Sequence, residues 1–258
     1  MKIVVLVKEV PDTYGDRVLN LETGLADRAV GDRVLDEIGE RALEVALSYA
    51  DAHPGTEVAV VSMASDAAAA TVRKGLAMGA GSALQVVDEA LAGADLGLTA
   101  EVLAAAVKRV GFDLVIAGNQ STDGSGGVMA AMVAELLGVP HATALSTVEI
   151  GDDTVTGTRT SDGANMQVSA PLPAVISITE ALPDARFPNF KGIMAAKKKP
   201  FETVTVADLG VDADPGARPW SIMTAIAAKP ARAAGTKIVD EGDAGAQLAE
   251  FLIQNRLV

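Results

Sequence analysis

The residues best suited to chemistry form one run, Gly118-Asn119-Gln120-Ser121-Thr122-Asp123-Gly124-Ser125-Gly126-Gly127, which follows an apolar segment and leads into a helical pattern. Glycine lets a backbone approach a ligand closely, and free N–H groups at a helix start attract phosphate. This spacing points to phosphate binding by backbone amides, with Asn119, Gln120 and Asp123 as further hydrogen-bonding groups. Covalent chemistry has little to work with. Cysteine is absent, which excludes thiol nucleophiles, disulfides and thiolate-held metals. The two histidines, His53 and His141, each lie beside a proline at an element end, where capping or a surface position suits them better than catalysis. No catalytic side chain and no metal ligand set are expected.

Familiar nucleotide fingerprints fail. G-x-G-x-x-G should follow the first strand, but that strand leads into Lys8-Glu9-Val10-Pro11-Asp12, and Gly79-Ala80-Gly81 precedes a strand. No G-x-x-x-x-G-K-[ST] occurs. Ser125-Gly126-Gly127 begins like the S-G-G-x-D-S pyrophosphatase loop, yet Met129 and Ala130 fill its last two positions, so ATP hydrolysis is poorly supported.

The elements that must position this run alternate. Apolar strands are expected at Lys2 to Val7, Thr56 to Met63, Ala83 to Val87 and Asp113 to Ala117. Between them fit helices from Asp36 to about Ala52, from Ser65 or Asp66 to about Met78, and from a Thr99 cap to Val110, closed by Gly111. A further helix fits Gly127 to Leu137. The stretch from Lys8 to about Arg33 reads as too polar and broken to be core. After Pro140, strands at Thr143 to Ile150, Thr154 to Arg159 and Met166 to Ser169 are joined by tight turns, and Pro173 to Ile178 is again apolar. From about Leu182 the chain reads as irregular, with a weakly amphipathic helix at Ala244 to Asn255. This is an α/β pattern: a mostly parallel, doubly wound sheet of the adenine-nucleotide-binding type, with an added antiparallel hairpin region and a C-terminal arm. Residues 1–184 are expected to form the nucleotide-binding domain, and 185–258 a recognition loop and an arm packed on a partner subunit.

Composition bounds the partners. The net charge of −13 over 258 residues repels nucleic acid and anionic lipid, and aromatics at 3% leave few stacking platforms. No apolar run approaches the ~20 residues that cross a bilayer. The opening apolar stretch is too short for a signal sequence. A cytoplasmic protein without nucleic-acid binding or membrane insertion is expected.

Several segments together resemble the electron-transfer flavoprotein beta subunit. They are Val4 to Asp12, Gly75-Leu76-Ala77-Met78-Gly79-Ala80, the Asp113 to Gly127 loop, Arg159 with Asp162-Gly163, and Leu172-Pro173-Ala174-Val175-Ile176-Ser177. The likeness continues through Arg186-Phe187-Pro188-Asn189-Phe190, Ile193-Met194, Lys197-Lys198-Lys199 and Asp208-Leu209-Gly210-Val211, and so covers nearly the whole chain. It implies a heterodimer in which an alpha subunit holds most of the FAD while this chain binds AMP. The family takes electrons from acyl-CoA dehydrogenases and related flavoenzymes and passes them to a membrane quinone oxidoreductase. By position, the resemblance assigns nucleotide contacts to Leu6, Met63 and the Asp36-Glu37-Ile38-Gly39 segment, where the family commonly reads Asn-Pro at the first two places. It assigns the phosphate and ribose loop to Gly118, Asn119, Gln120, Asp123, Gly124, Ser125, Gly126, Gly127, Val128 and Met129. Val128 stands where many relatives have glutamine. Phe190 takes the leucine position of the loop that inserts into a partner dehydrogenase, and Lys197, Lys198 and Lys199 are a basic patch suited to an acidic partner. A stand-alone adenine-nucleotide sensor or stress protein is the alternative reading. A second FAD in place of AMP, as in electron-bifurcating relatives, is disfavoured.

Overall fold

The computed structural model describes residues 1–258 except Asp16, Ala29, 215–220, Ile222 and Ala233. Contacts divide the chain into two units, Met1–Met223 and Thr224–Val258.

The first unit is built on a nine-stranded sheet. Its strands in chain order are β1 (Lys2–Leu6), β4 (Glu57–Met63), β5 (Ser82–Val86), β6 (Leu114–Gly118), β7 (His141–Ile150), β8 (Thr154–Ser161), β9 (Ala164–Pro171), β10 (Ala174–Ile178) and β11 (Phe201–Val204). Two short strands, β2 (Glu9–Pro11) and β3 (Arg33–Leu35), pair antiparallel beside it. The helices are α1 (Glu37–Ala52), α2 (Ala69–Met78), α3 (Leu96–Val110), α4 (Met129–Leu137), α5 (Phe190–Ala196), α6 (Val206–Leu209) and α7 (Ala244–Gln254). Across the sheet the order is β11-β5-β4-β1-β6-β10-β7-β8-β9, parallel from β11 to β7 and antiparallel from β7 to β9.

A strand covered on both faces must be apolar at odd and even positions alike. β1 meets that demand. Ile3 and Val5 join the core with Ala42, Leu43 and Ala46 of α1 and Val72 and Leu76 of α2. Val4 and Leu6 join the core on the other face with Val102, Leu103 and Ala106 of α3 and Val133 of α4. Burying a side chain such as Leu43 or Leu76 contributes about 2 kcal/mol each. The alanines of α1 and α3 keep those helices close to the sheet.

Chain order explains where a ligand belongs. From β1 the crossovers run outward to β4 and β5, and α3 then carries the chain back past β1 to β6 on its other side. The winding reverses between β1 and β6, and open sheets bind ligands outside the strand ends at such a reversal.

Some expectations are corrected. α3 is capped by Asp95, whose Oδ1 accepts from the Leu98 amide at 3.0 Å; Thr99 lies inside the first turn. A carboxylate suits the positive end of the helix better than a threonine hydroxyl does. The stretch after Lys8 is not wholly outside the core, since Glu9 and Val10 are buried through the β2–β3 pairing. The segment after Leu182 contains α5, β11 and α6, with β11 completing the sheet edge beside β5. The Asp162-Gly163 turn has both residues at positive φ, as a two-residue hairpin requires. His53 closes α1, its ring stacked on Tyr49 at 4.0 Å, and His141 starts β7 exposed. The second unit carries α7, with Leu248, Phe251 and Ile253 exposed along it.

Candidate nucleotide-binding site

The parallel register sets the carboxyl ends of β1, β4 and β6 along one edge, which brings Leu6, Met63 and Gly118 to that edge. Asp36, at the N-terminus of α1, is drawn to the same place because its Oδ2 accepts from the Thr122 amide at 2.9 Å. Glu37, Ile38 and Gly39 follow in the first turn of α1, and Gly39 is buried against Val7. Four segments far apart in sequence therefore converge: the ends of β1 and β4, the start of α1 and the loop after β6.

Close packing fixes the loop's base. A Cβ at Gly118 would stand 2.5 Å from Ile38 Cγ2 and 2.7 Å from its Cγ1, so only glycine fits there without displacing Ile38 or α1. Beyond it, Asn119 donates its amide to the Ile178 carbonyl at 2.8 Å, pinning the loop to the end of β10. The Asn119 side chain is occupied locally, accepting from the Gln120 amide at 2.8 Å. Gln120 and Gly124, Ser125, Gly126, Gly127 and Val128 are exposed, while Met129 is half-buried. Ser125 and Gly127 adopt positive φ, of 50° and 67°. α4 opens without a side-chain cap, and its backbone ladder starts with the Met132 amide donating to the Val128 carbonyl at 3.0 Å. The amides just ahead of Met132 have no partner within the helix, which is the arrangement that receives an anion.

Asp123 departs from the role expected of it. Its Oδ1 lies 2.7 Å from Lys8 Nζ and its Oδ2 2.9 Å from Arg28 Nη2, with only 9% of its side chain exposed. Burial alone would raise its pKa, but the bonds from Lys8, Ser121 and Arg28 outweigh that and hold the carboxyl well below the usual carboxylate range. Asp123 is thus a charged tie between the loop and the segment after β1, with both carboxylate oxygens engaged. Asp36 behaves oppositely. It is 1% exposed, and burial raises its pKa despite the bond from Thr122. Its Oδ1 and the Thr122 Oγ1 are buried without a partner among the described residues.

The expected partner-binding residues lie on α5 and after it. Phe190 is 79% exposed, but it is the first residue of a helix rather than part of a loop, with Asn189 as the cap. Phe187 at 92%, Ile193 and Met194 are exposed beside it in sequence. α5 packs tightly on the end of α2, where a Cβ at Gly192 would collide with the Ala77 carbonyl oxygen. Upstream, Arg186 is tied to Glu44 of α1 by bonds of 2.8 Å and to Asp51 at 2.9 Å. Lys197 and Lys198 are exposed. Lys199 is not part of that patch: its Nζ donates to the carbonyls of Leu76, Gly79 and Ala80, closing the C-terminus of α2. Nothing local in a Lys-Lys-Lys run distinguishes its third member, which is why the sequence grouped all three.

A cavity of about 510 Å³ opens at the opposite edge of the sheet, among Met1, His53, Asp113 and Pro173. Strand starts line it, so it is not where the winding delivers a nucleotide. Among the described residues no cluster of three or more His, Asp or Glu side chains is placed to hold a metal ion, and no helix is long and apolar enough to cross a membrane.

The electron transfer flavoprotein domain family matches residues 25–209. The chain is 43% identical to the electron transfer flavoprotein subunit beta of Mycobacterium tuberculosis over 99% of both chains, and 42% identical to that of Mycobacterium leprae over the same share. The Syntrophomonas wolfei subunit beta is 34% identical over 98% of this chain and 96% of its own. The chain belongs to the electron transfer flavoprotein family. Its likeness to the beta subunits runs end to end, so the mostly parallel sheet, the loop after β6 and the α5 segment all lie within the shared region.

Proposed function

We propose that this chain is the beta subunit of a heterodimeric electron-transfer flavoprotein. In this reading it binds AMP at the carboxyl edge of β1, β4 and β6 and helps to position FAD held mainly by an alpha subunit. The complex carries electrons from acyl-CoA dehydrogenases and related flavoenzymes, as in fatty acid β-oxidation, to a quinone oxidoreductase, and works in the cytoplasm. The observation that carries the nucleotide reading is the uncapped start of α4 behind an exposed Gly124 to Gly127 loop at the winding reversal.

The residues fit a phosphate group. Backbone amides of Gly126 to Met129 offer donors that need no particular side chain, so valine in place of glutamine at position 128 is tolerated. The flavin, when bound, supplies the electron-carrying chemistry, and the protein supplies position and electrostatics. This chain's own part is to hold the nucleotide phosphate at the loop and to exclude water with Leu6, Ile38 and Met63. Phe190, with Phe187 beside it, offers an exposed apolar anchor for the partner dehydrogenase, and Lys197 and Lys198 steer an acidic surface toward it. Residues 185–258 provide that anchor and an arm for the alpha subunit, with the exposed apolar residues of α7 as its contact.

The test is co-expression with the alpha subunit, denaturation of the purified complex and mass spectrometry of what it releases. One AMP and one FAD per heterodimer are expected. Two FAD would replace AMP by a second flavin, and a colourless chain that forms no heterodimer would overturn the reading.

A further inference from the structure

The chain is strongly acidic overall, yet three cations converge on one dipeptide of the β6–α4 loop. Lys8 Nζ lies 2.7 Å from Asp123 Oδ1 and 3.4 Å from Ser121 Oγ. Arg28 Nη2 lies 2.9 Å from Asp123 Oδ2, while its Nη1 donates to the Glu9 carbonyl at 3.0 Å. Arg17 donates to the Thr122 carbonyl. The carboxylates that hydrogen bonds tie to this dipeptide are that of Asp123 itself and, through the Thr122 amide, that of Asp36. Glu9 is engaged elsewhere, with Thr71 and Arg33. Three positive groups thus meet at a dipeptide whose hydrogen bonds involve the carboxyls of Asp123 and Asp36, and Asp36 is buried in surroundings that disfavour its charge.

Structural ion pairing needs one cation for Asp123, and a second and third leave positive charge beside a loop whose Gly124 and Ser125 amides are given to Asp123 Oδ1 and to the Ser121 carbonyl, and which runs on into the exposed residues Gly126 and Gly127. Lys8 and Arg28 keep 44% and 38% of their side chains exposed, so neither is sealed in the core. A Cβ at Gly124 would lie 3.8 Å from Lys8 Nζ, which places the ammonium directly beside the glycine backbone. A dianionic phosphate is the ligand that such surplus charge next to backbone donors would attract.

We propose that Lys8, Arg17 and Arg28 form a cationic collar that binds the phosphate of the nucleotide, with Asp123 holding Lys8 and Arg28 in place for it. This rests on the nucleotide reading above and adds residues that the glycine loop alone does not identify. Arg17 and Arg28 belong to the excursion between β2 and β3, so nucleotide binding and the order of that excursion are linked. The collar makes affinity depend on the phosphate and leaves the nucleoside to the rest of the site.

The experiment uses the full-length chain in complex with its alpha subunit, stripped of nucleotide, and measures AMP and adenosine binding by calorimetry. Arg17→Gln with Arg28→Gln should weaken AMP at least tenfold and leave adenosine within twofold. Lys8 remains to neutralise Asp123, and unchanged far-ultraviolet dichroism would confirm that the fold survives. The AMP advantage over adenosine should also fall with added salt in the native complex, and fall less in the variant. If AMP binding is unchanged in the variant, or AMP and adenosine weaken by the same factor, the collar is a structural tie and the inference fails while the nucleotide reading stands. If the native complex binds neither compound, the nucleotide reading itself fails.

Discussion

Replacing Gly118 by alanine tests the packing that holds the site together. The added methyl carbon would meet Ile38 at 2.5 Å (Cγ2), 2.7 Å (Cγ1) and 3.1 Å (Cβ). Carbon atoms do not approach so closely, so either Ile38 leaves its rotamer or the first turn of α1 moves off the sheet. Overpacking of this kind costs about 1–3 kcal/mol. For a chain of this size that corresponds to a fall in Tm of about 2–4 °C per kcal/mol. The clash is with one side chain, which makes it separable. Ile38→Ala removes both γ carbons and leaves nothing nearer than the contact at 3.1 Å, so Gly118→Ala in that background should cost less than about 0.5 kcal/mol. Urea unfolding of the native complex, the two single variants and the double variant gives the coupling, expected at about 1 kcal/mol or more in the direction of rescue. The displaced α1 turn also carries Asp36, so the single Gly118→Ala variant should bind AMP more weakly and the double variant should recover part of the loss. Costs that simply add would refute the argument, because the penalty would then come from something other than Ile38.

Other consequences can be checked in the same system. Asp36→Asn should stabilise the protein near neutral pH: burial raises the Asp36 pKa, so its charged form costs stability that is regained as pH falls toward the ordinary carboxylate range, and the advantage of the variant should shrink in step. Asp123→Asn should do the reverse. A carboxyl held low by Lys8 and Arg28 contributes stability above about pH 4. That contribution is lost on acidification through its depressed pKa, so the variant should be less stable at pH 7 and converge with the native protein in strong acid. Lys199→Met should lower thermal stability, by about 1–3 kcal/mol for the lost charged bonds, whereas Lys197→Ala with Lys198→Ala should leave unfolding unchanged and slow reduction by the partner dehydrogenase mainly at low salt. Phe190→Ala should raise the apparent KM for that dehydrogenase without altering the bound flavin's spectrum, and an unchanged KM would remove Phe190 from the interface.

The alternation of apolar strands and small-residue helices was legible because each signal is local. The unbroken Ile3 to Leu6 run announces a strand with two covered faces, and Gly111 announces the end of a helix. The short elements after Leu182 were not legible. β11 has a single buried residue, Val204, and owes its existence to the free edge of β5 rather than to a pattern of its own. Asp95 was missed as a cap because Thr99, four residues on, is also a cap-forming residue type, and residue type alone does not say where the helix starts.

By itself the sequence determined the class of fold, the family and the place of the glycine-rich run after β6, since each depends on residue type and near-neighbour spacing. Only the tertiary structure decided how charge is distributed around that run. Arg28 and Asp123 are 95 residues apart, and Lys8 and Asp123 are 115 apart. No local pattern joins such residues; the winding reversal between β1 and β6 does. The same reason separates Lys199 from Lys197 and Lys198, because what distinguishes them is the end of α2, more than a hundred residues earlier.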